Sequence, residues 1–142
     1  MPKQKTLSKL KKDLWKVFAL YIKLKESKDG EYVNCYTCEA NLKIGTSNAH
    51  AGHCFTKKGY PGLYFEEIQI KPQCYHCNIN LSGNTNVFIE NLKQEIGEEA
   101  YQEMYNRRHK PVKMTRSDYQ EKIAYYIEKV NQLQKELGVK YL

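Results

Sequence analysis

The sequence contains no run of eighteen apolar residues, so no transmembrane helix is expected. Its opening, Met1-Pro2-Lys3-Gln4-Lys5, leads into a lysine-rich segment with no apolar stretch. That is not a secretory signal, and a cytosolic location is the expectation. No internal repeat and no low-complexity linker divides the 142 residues, a length that suits one ordinary domain. Five cysteines are an odd count in a chain without a signal, which argues against a disulfide framework. Hydrophobic residues make up 41% of the chain, enough for one modest core, and a domain of this size gains from a staple.

Acidic residues are scarce at one end only. Residues 1–28 hold nine lysines against Asp13 and Glu26, whereas the remainder holds fourteen bases and fourteen acids. The whole net charge of +7 therefore sits at the N-terminal end. Such asymmetry points to a polyanionic partner, nucleic acid before an anionic membrane.

Residues 7–26 are expected to form a helix, because Leu7, Leu10, Leu14, Val17, Tyr21 and Leu24 recur at spacings of three and four. Lys5, Lys9, Lys12, Lys16 and Lys23 make a stripe on the opposite face, and Lys28-Asp29-Gly30 ends the helix. Glycine and proline break residues 31–80 into short pieces. Tyr32-Val33, Leu63-Tyr64-Phe65 and Ile68-Gln69-Ile70 read there as strands, and Cys74 to about Leu81 as a short helix stopped by Ser82-Gly83-Asn84. Residues 86–109 read as helix interrupted near Gly97, and Pro111 separates them from a last helix. Thr115-Arg116-Ser117-Asp118 resembles a capping box. Tyr119, Ile123, Tyr126, Val130, Leu133 and Leu137 then follow a heptad-like seam. Two helices with such seams are expected to pack on each other or to form a dimer.

Cys35-Tyr36-Thr37-Cys38 and Cys74-Tyr75-His76-Cys77 are separated by 35 residues. Two such pairs supply the four thiolates of a structural zinc site, in which a closed shell leaves no position for catalysis. His76, inside the second pair, is expected at the surface. Between the pairs lies His50-Ala51-Gly52-His53-Cys54. One neutral imidazole can accept a proton from water and another can hold a metal. Asn78, after the second pair, offers an amide oxygen suited to Mg²⁺. Cys54 reads as a packed thiol.

Together, Cys35-x-x-Cys38, Ala51-Gly52-His53, Phe65-Glu66-Glu67, Gln73-Cys74, Cys77-Asn78 and Ser82-Gly83-Asn84 resemble the HNH endonucleases. More closely, the chain is similar to the NinG (Rap) recombination endonucleases of lambdoid phages. The likeness continues in Ile96-Gly97-Glu98-Glu99-Ala100 and Thr115-Arg116 and covers roughly residues 12–137. The resemblance implies an α+β fold: a zinc-stapled treble-clef and ββα-metal core at 31–84. A basic amphipathic helix at 7–28 and C-terminal helices at 86–142 flank it, all in one domain. It places His53 as general base at the end of a strand, and Asn78 with His50 as ligands of a catalytic Mg²⁺ or Mn²⁺. Three positions depart from the family pattern. His50 stands in place of aspartate and favours softer ions. Gln69 stands in place of an asparagine that orients the imidazole, and has a longer reach for the same task. Lys71 stands in place of histidine, and a protonated lysine meets phosphate rather than a metal.

The implied reaction is hydrolysis of a DNA phosphodiester by a water that His53 activates. The substrate class that the family suggests is branched recombination intermediates, of Holliday-junction or D-loop type, in a bacterial host. DNA phosphates would be held by Lys9, Lys12 and Lys16 of the stripe, by Lys57, Lys58 and Lys71, and by Arg107 and Arg108 with Lys110. Such contacts give salt-dependent affinity without sequence readout. A resolvase makes two cuts, which suits a homodimer. Two other readings compete. The three departures also suit a zinc module that binds DNA without cutting it. The lysine face alone would suit docking on an anionic membrane, although that leaves the histidine loop unexplained.

Overall fold

The computed structural model describes residues 3–142. Helix α1 spans Leu7–Lys25, and the Thr6 hydroxyl caps it by accepting from the amide of Lys9 at 3.1 Å. The expected seam is buried at Leu10, Leu14, Val17 and Leu24, joined by Phe18 and Ile22, while Leu7 is exposed. Strands β1 (Tyr32–Asn34) and β2 (Asn41–Lys43) pair antiparallel, and the Cys35–Cys38 knuckle forms the turn between them. A second antiparallel ribbon joins β3 (Ala49–His53) to β4 (Ile70–Cys74), with Ala49 opposite Cys74 and His53 opposite Ile70. A π-helical turn at His76–Asn80 follows β4, then α2 (Thr85–Ile96) and α3 (Glu98–Asn106), broken where Gly97 adopts φ +89°. Helix α4 (Arg116–Leu137) opens on the expected capping box, Thr115 with Asp118.

The two seams pack on each other within the chain. Tyr126 and Val130 of α4 are buried with Leu14, Phe18 and Ile22 of α1, and Val33, Leu42 and Ile70 close the core from the ribbons. Each such fully buried side chain contributes roughly 1.5–3 kcal/mol. Glu67 pins the segment that enters β4. Its carboxylate accepts from Tyr21 Oη at 3.2 Å and Tyr126 Oη at 3.1 Å, and pairs with Lys25 Nζ at 3.1 Å. Burial and the Glu67 charge push the Tyr21 phenol up to about 12. A second cluster of Phe55, Leu63, Phe88, Leu92, Tyr101 and Met104 lies under the loop after β3, and Cys54 is packed within it as expected.

Two expected strands are not strands. Leu63 ends a 3-10 turn at Pro61–Leu63 and Tyr64-Phe65 follow it, because Pro61 fixes the backbone and Gly62 packs on the Lys110 carbonyl, where a Cβ would lie 2.2 Å away. Ile68 and Gln69 lie in another 3-10 turn, Glu67–Gln69, and β4 starts only at Ile70. The expected alternation fails there, with Ile68 exposed and Gln69 fully buried. No helix among the described residues is long and apolar enough to cross a membrane.

Candidate functional site

The cysteine pairs converge from the β1–β2 knuckle and from the end of β4 with the π-helical turn. The Sγ atoms of Cys35, Cys38, Cys74 and Cys77 all lie within 4.8 Å of one another, and those of Cys38 and Cys74 are 3.7 Å apart. Tetrahedral zinc at about 2.3 Å from each sulfur needs sulfurs about 3.8 Å apart, so this group can hold a zinc ion. The protonation chemistry agrees. Burial opposes ionisation of Cys35, but the Thr37 hydroxyl and nearby backbone N–H groups outweigh it and bring the thiol down to about 6. Desolvation and the three neighbouring sulfurs push Cys38 up to about 12. Four sulfurs so close cannot all ionise without a cation among them. His76 is exposed, as expected.

The turn after this group is unusual. Ser82, Gly83 and Asn84 have φ of +50°, +96° and +46°, three consecutive residues in the left-handed region. Glycine and asparagine adopt that region most readily, which accounts for the Ser-Gly-Asn motif. Two side-chain contacts hold the turn: Asn84 Nδ2 lies 3.7 Å from Cys77 Sγ, and Gln73 Nε2 donates to the Gly83 carbonyl at 2.9 Å. Gln73 also donates to Thr37 Oγ1 at 3.0 Å, so one buried amide joins the first knuckle, β4 and the turn. Its Oε1 faces Gly52 on β3, where a Cβ would lie 1.9 Å away. The glycine of Ala-Gly-His is thus explained by a close approach.

His53 ends β3 at only 7% exposure. Its Nε2 lies 2.8 Å from the Tyr64 carbonyl. A carbonyl can only accept, so Nε2 carries the proton and Nδ1 keeps its lone pair. Trp15 of α1 stacks on the imidazole with centroids 5.1 Å apart, and the Tyr64 ring approaches it edge-on. Burial lowers the imidazole pKa to about 4, opposed by the Tyr64 carbonyl and aided by Lys57. His53 is therefore neutral at pH 7 and able to accept a proton. His53, Asn78 and Lys57 line one cleft of about 370 Å³.

His50 is oriented in the same way, its Nε2 donating to the Ser47 carbonyl at 2.8 Å. Its Nδ1 lone pair lies 3.0 Å from Asn78 Nδ2. Turning the Asn78 amide over would present its oxygen beside that nitrogen. Neighbouring ligands of an octahedral ion held at about 2.1 Å stand about 3 Å apart, a spacing these two atoms match.

Two expected roles are corrected. Gln69 does not orient His53: its Oε1 accepts from the Phe55 amide at 2.7 Å, and its Nε2 donates to the Leu63 carbonyl at 2.7 Å. The longer side chain reaches past the imidazole to the loop backbone, and a main-chain carbonyl does the orienting instead. Lys71 is not placed for phosphate: its side chain is 6% exposed and its Nζ pairs with Glu95 at 2.7 Å and Glu26 at 3.8 Å. Other basic candidates are engaged as well. Lys9 pairs with Asp13 at 2.9 Å, and Arg107 pairs with Glu103 at 2.6 Å and Glu66 at 3.3 Å. Arg108 lies over the Tyr105 ring at 3.6 Å. Lys12, Lys16 and Lys58 are exposed.

Sequence reasoning missed Tyr64, Trp15 and Gln73. Tyr64 acts through its backbone, which leaves no mark in the sequence. Trp15 lies four residues after Lys11, and its step off the leucine seam was the available signal. Gln73 was visible in the Gln73-Cys74 motif, but its bridging of the knuckle and the turn was not.

No curated protein matches the chain, and no solved structure does. A family model described as Bacteriophage Lambda NinG protein matches residues 2–136, nearly the full length, and so the chain belongs to the NinG family of bacteriophage lambda.

Proposed function

We propose that this protein is a metal-dependent DNA endonuclease of the HNH type that acts on branched recombination intermediates. The observation that carries the reading is the state of His53, a neutral imidazole whose Nε2–H is committed to the Tyr64 carbonyl and whose Nδ1 is free, lining a cleft with Asn78. A base needs that tautomer and an accessible lone pair. The β3–β4 ribbon followed by the turn that bears Asn78 supports a ββα-metal arrangement. The four-cysteine group supports a treble-clef brace with no direct chemistry.

In this reading Nδ1 of His53 takes a proton from water as the water oxygen bonds to phosphorus. The P–O3′ bond breaks, leaving a 5′ phosphate and a 3′ oxygen that is protonated from solvent. His50 and Asn78 would hold Mg²⁺ or Mn²⁺. When bound, the ion supplies Lewis-acid polarisation of the phosphoryl oxygen and stabilisation of the leaving oxygen. Trp15 and the Tyr64 ring exclude bulk water from one side of the imidazole, and Lys57 brings positive charge to the cleft.

The test is cleavage of a labelled four-way junction and a matched linear duplex with Mg²⁺, with Mn²⁺ or with EDTA, comparing the parent with His53→Ala at equal zinc content. Metal-dependent cutting that is lost in a folded His53→Ala is expected, and the junction-to-linear ratio reports the substrate class. Tight binding without cutting under any metal would leave a non-catalytic DNA-binding module.

A further inference from the structure

Several cations are committed to carboxylates: Lys25 to Glu67, Lys71 to Glu95, and Arg107 to Glu66 and Glu103. Lys11 and Lys57 differ. Lys11 Nζ lies 4.2 Å from the centroid of the Tyr64 ring, and Lys57 Nζ lies 5.4 Å from the same centroid and 3.9 Å from that of Trp15. Neither makes an ion pair with a carboxylate among the described residues. Cation–π contact holds each ammonium but neutralises neither. Desolvation, and then the charge of Lys11, lowers the pKa of Lys57. An anion seated against both would relieve that repulsion.

Lys57 lines the His53 cleft. A separate groove of about 260 Å³ has a lining that includes Lys11, Tyr64, Phe65, Tyr119 and Lys122, and the Tyr64 ring in it lies 5.3 Å from that of His53. Glu66 is the carboxylate in that lining, and Arg107 holds it at 3.3 Å. The groove thus combines aromatic side chains with unspent positive charge, the pairing by which proteins hold single-stranded nucleic acid. A duplex keeps its base faces stacked and cannot offer them to such a groove.

We propose that Lys11 and Lys57, on either concavity, contact the backbone phosphates of an unpaired DNA strand, and that a nucleobase of that strand enters the groove that Tyr64 lines. The inference rests on the DNA-cleavage reading and adds to it a subsite for single strand next to the cut. It would let the enzyme favour DNA with unpaired nucleotides over continuous duplex, with no base-specific contact.

Trp15 is the only tryptophan of the chain and lies under Lys57, so its fluorescence reports the subsite. It is titrated with a short oligothymidylate and with matched duplex, without added divalent ion. The variants are Lys11→Gln, Lys122→Gln and Tyr64→Leu, which keeps the backbone carbonyl, with Lys140→Gln as a distant control. Lys11→Gln is expected to weaken oligothymidylate binding roughly five- to ten-fold at low salt and to reduce the slope of log K against log salt by about 0.7. Tyr64→Leu is expected to weaken it roughly ten-fold, and Lys140→Gln to change nothing. Duplex affinity should move by less than about two-fold in every variant. If Tyr64→Leu fails to fold, the two lysine variants carry the test. Equal losses on duplex and single strand overturn the proposal. So does unchanged oligothymidylate binding in a protein that still cuts DNA, which leaves the nuclease reading standing. Failure of the parent to bind any DNA removes both.

Discussion

Burying His53 as a neutral imidazole should make the stability of this protein fall in mild acid by an amount that one side chain sets. The folded imidazole titrates near 4 and the unfolded one near its ordinary 6.5. Because the folded value is the lower one, its contribution is complete above pH 6.5 and is lost as the pH falls towards 4. The gap corresponds to about 3 kcal/mol over the full interval, of which about 2 kcal/mol is gone by pH 5. At 7% exposure the side chain is screened little by solvent. The thiolates of the cysteine group also weaken in acid, so the parent alone would not isolate the effect. His53→Gln keeps an amide able to donate to the Tyr64 carbonyl and does not titrate. Urea unfolding of both proteins at pH 7.5, 6 and 5, each loaded with zinc, gives the difference directly. The parent should lose about 2 kcal/mol more than the variant between pH 7.5 and 5. Parallel curves would refute the assignment of His53 as a buried neutral base. In the proposed cleavage the same titration would set the acid limb, with Nδ1 available down to about pH 5.

Gly52→Ala places a methyl group 1.9 Å from Gln73 Oε1 and should cost roughly 1–3 kcal/mol; Gln73→Ala in the same chain should recover part of that loss in a double-mutant cycle. Cys38→Ser should abolish stoichiometric zinc and collapse the thermal transition, because a structural zinc site supplies folding energy, whereas Cys54→Ala, in a separate cluster, should keep one zinc per chain by indicator titration. Glu67→Ala frees Tyr21, Tyr126 and Lys25 together and should lower stability by about 2 kcal/mol in urea, with the Tyr21 phenol moving back down towards 10 in a spectrophotometric titration.

Features that depend on local spacing were legible in the sequence. The cysteine pairs, the seams of α1 and α4, the break at Gly97 and the cap at Thr115 each rest on residues within a few positions of one another. Features that depend on what the chain meets after folding were not. Lys71 and Gln69 sit at positions where the sequence suggested a phosphate contact and an imidazole contact. Glu95, distant in sequence, takes the first, and the backbone of the 54–63 loop region takes the second. The strand expected at 63–65 failed because no partner strand lies beside it, and Pro61 with Gly62 sets a turn there instead. Lys11 lies outside the lysine stripe read from the sequence, and only the placement of Tyr64 distinguishes it.

The ribbon of β3 and β4 puts the histidine and the cysteine group at its opposite ends, His53 facing Ile70 and Ala49 facing Cys74. Four residue steps at about 3.3 Å hold them roughly 13 Å apart. An ion held by the four sulfurs would thereby be out of contact with the proton transfer proposed at His53 while joined to it through a single strand. Cobalt(II) or cadmium(II) in the four-sulfur position would accordingly serve as an optical or magnetic reporter of how the protein assembles, away from the His53 cleft.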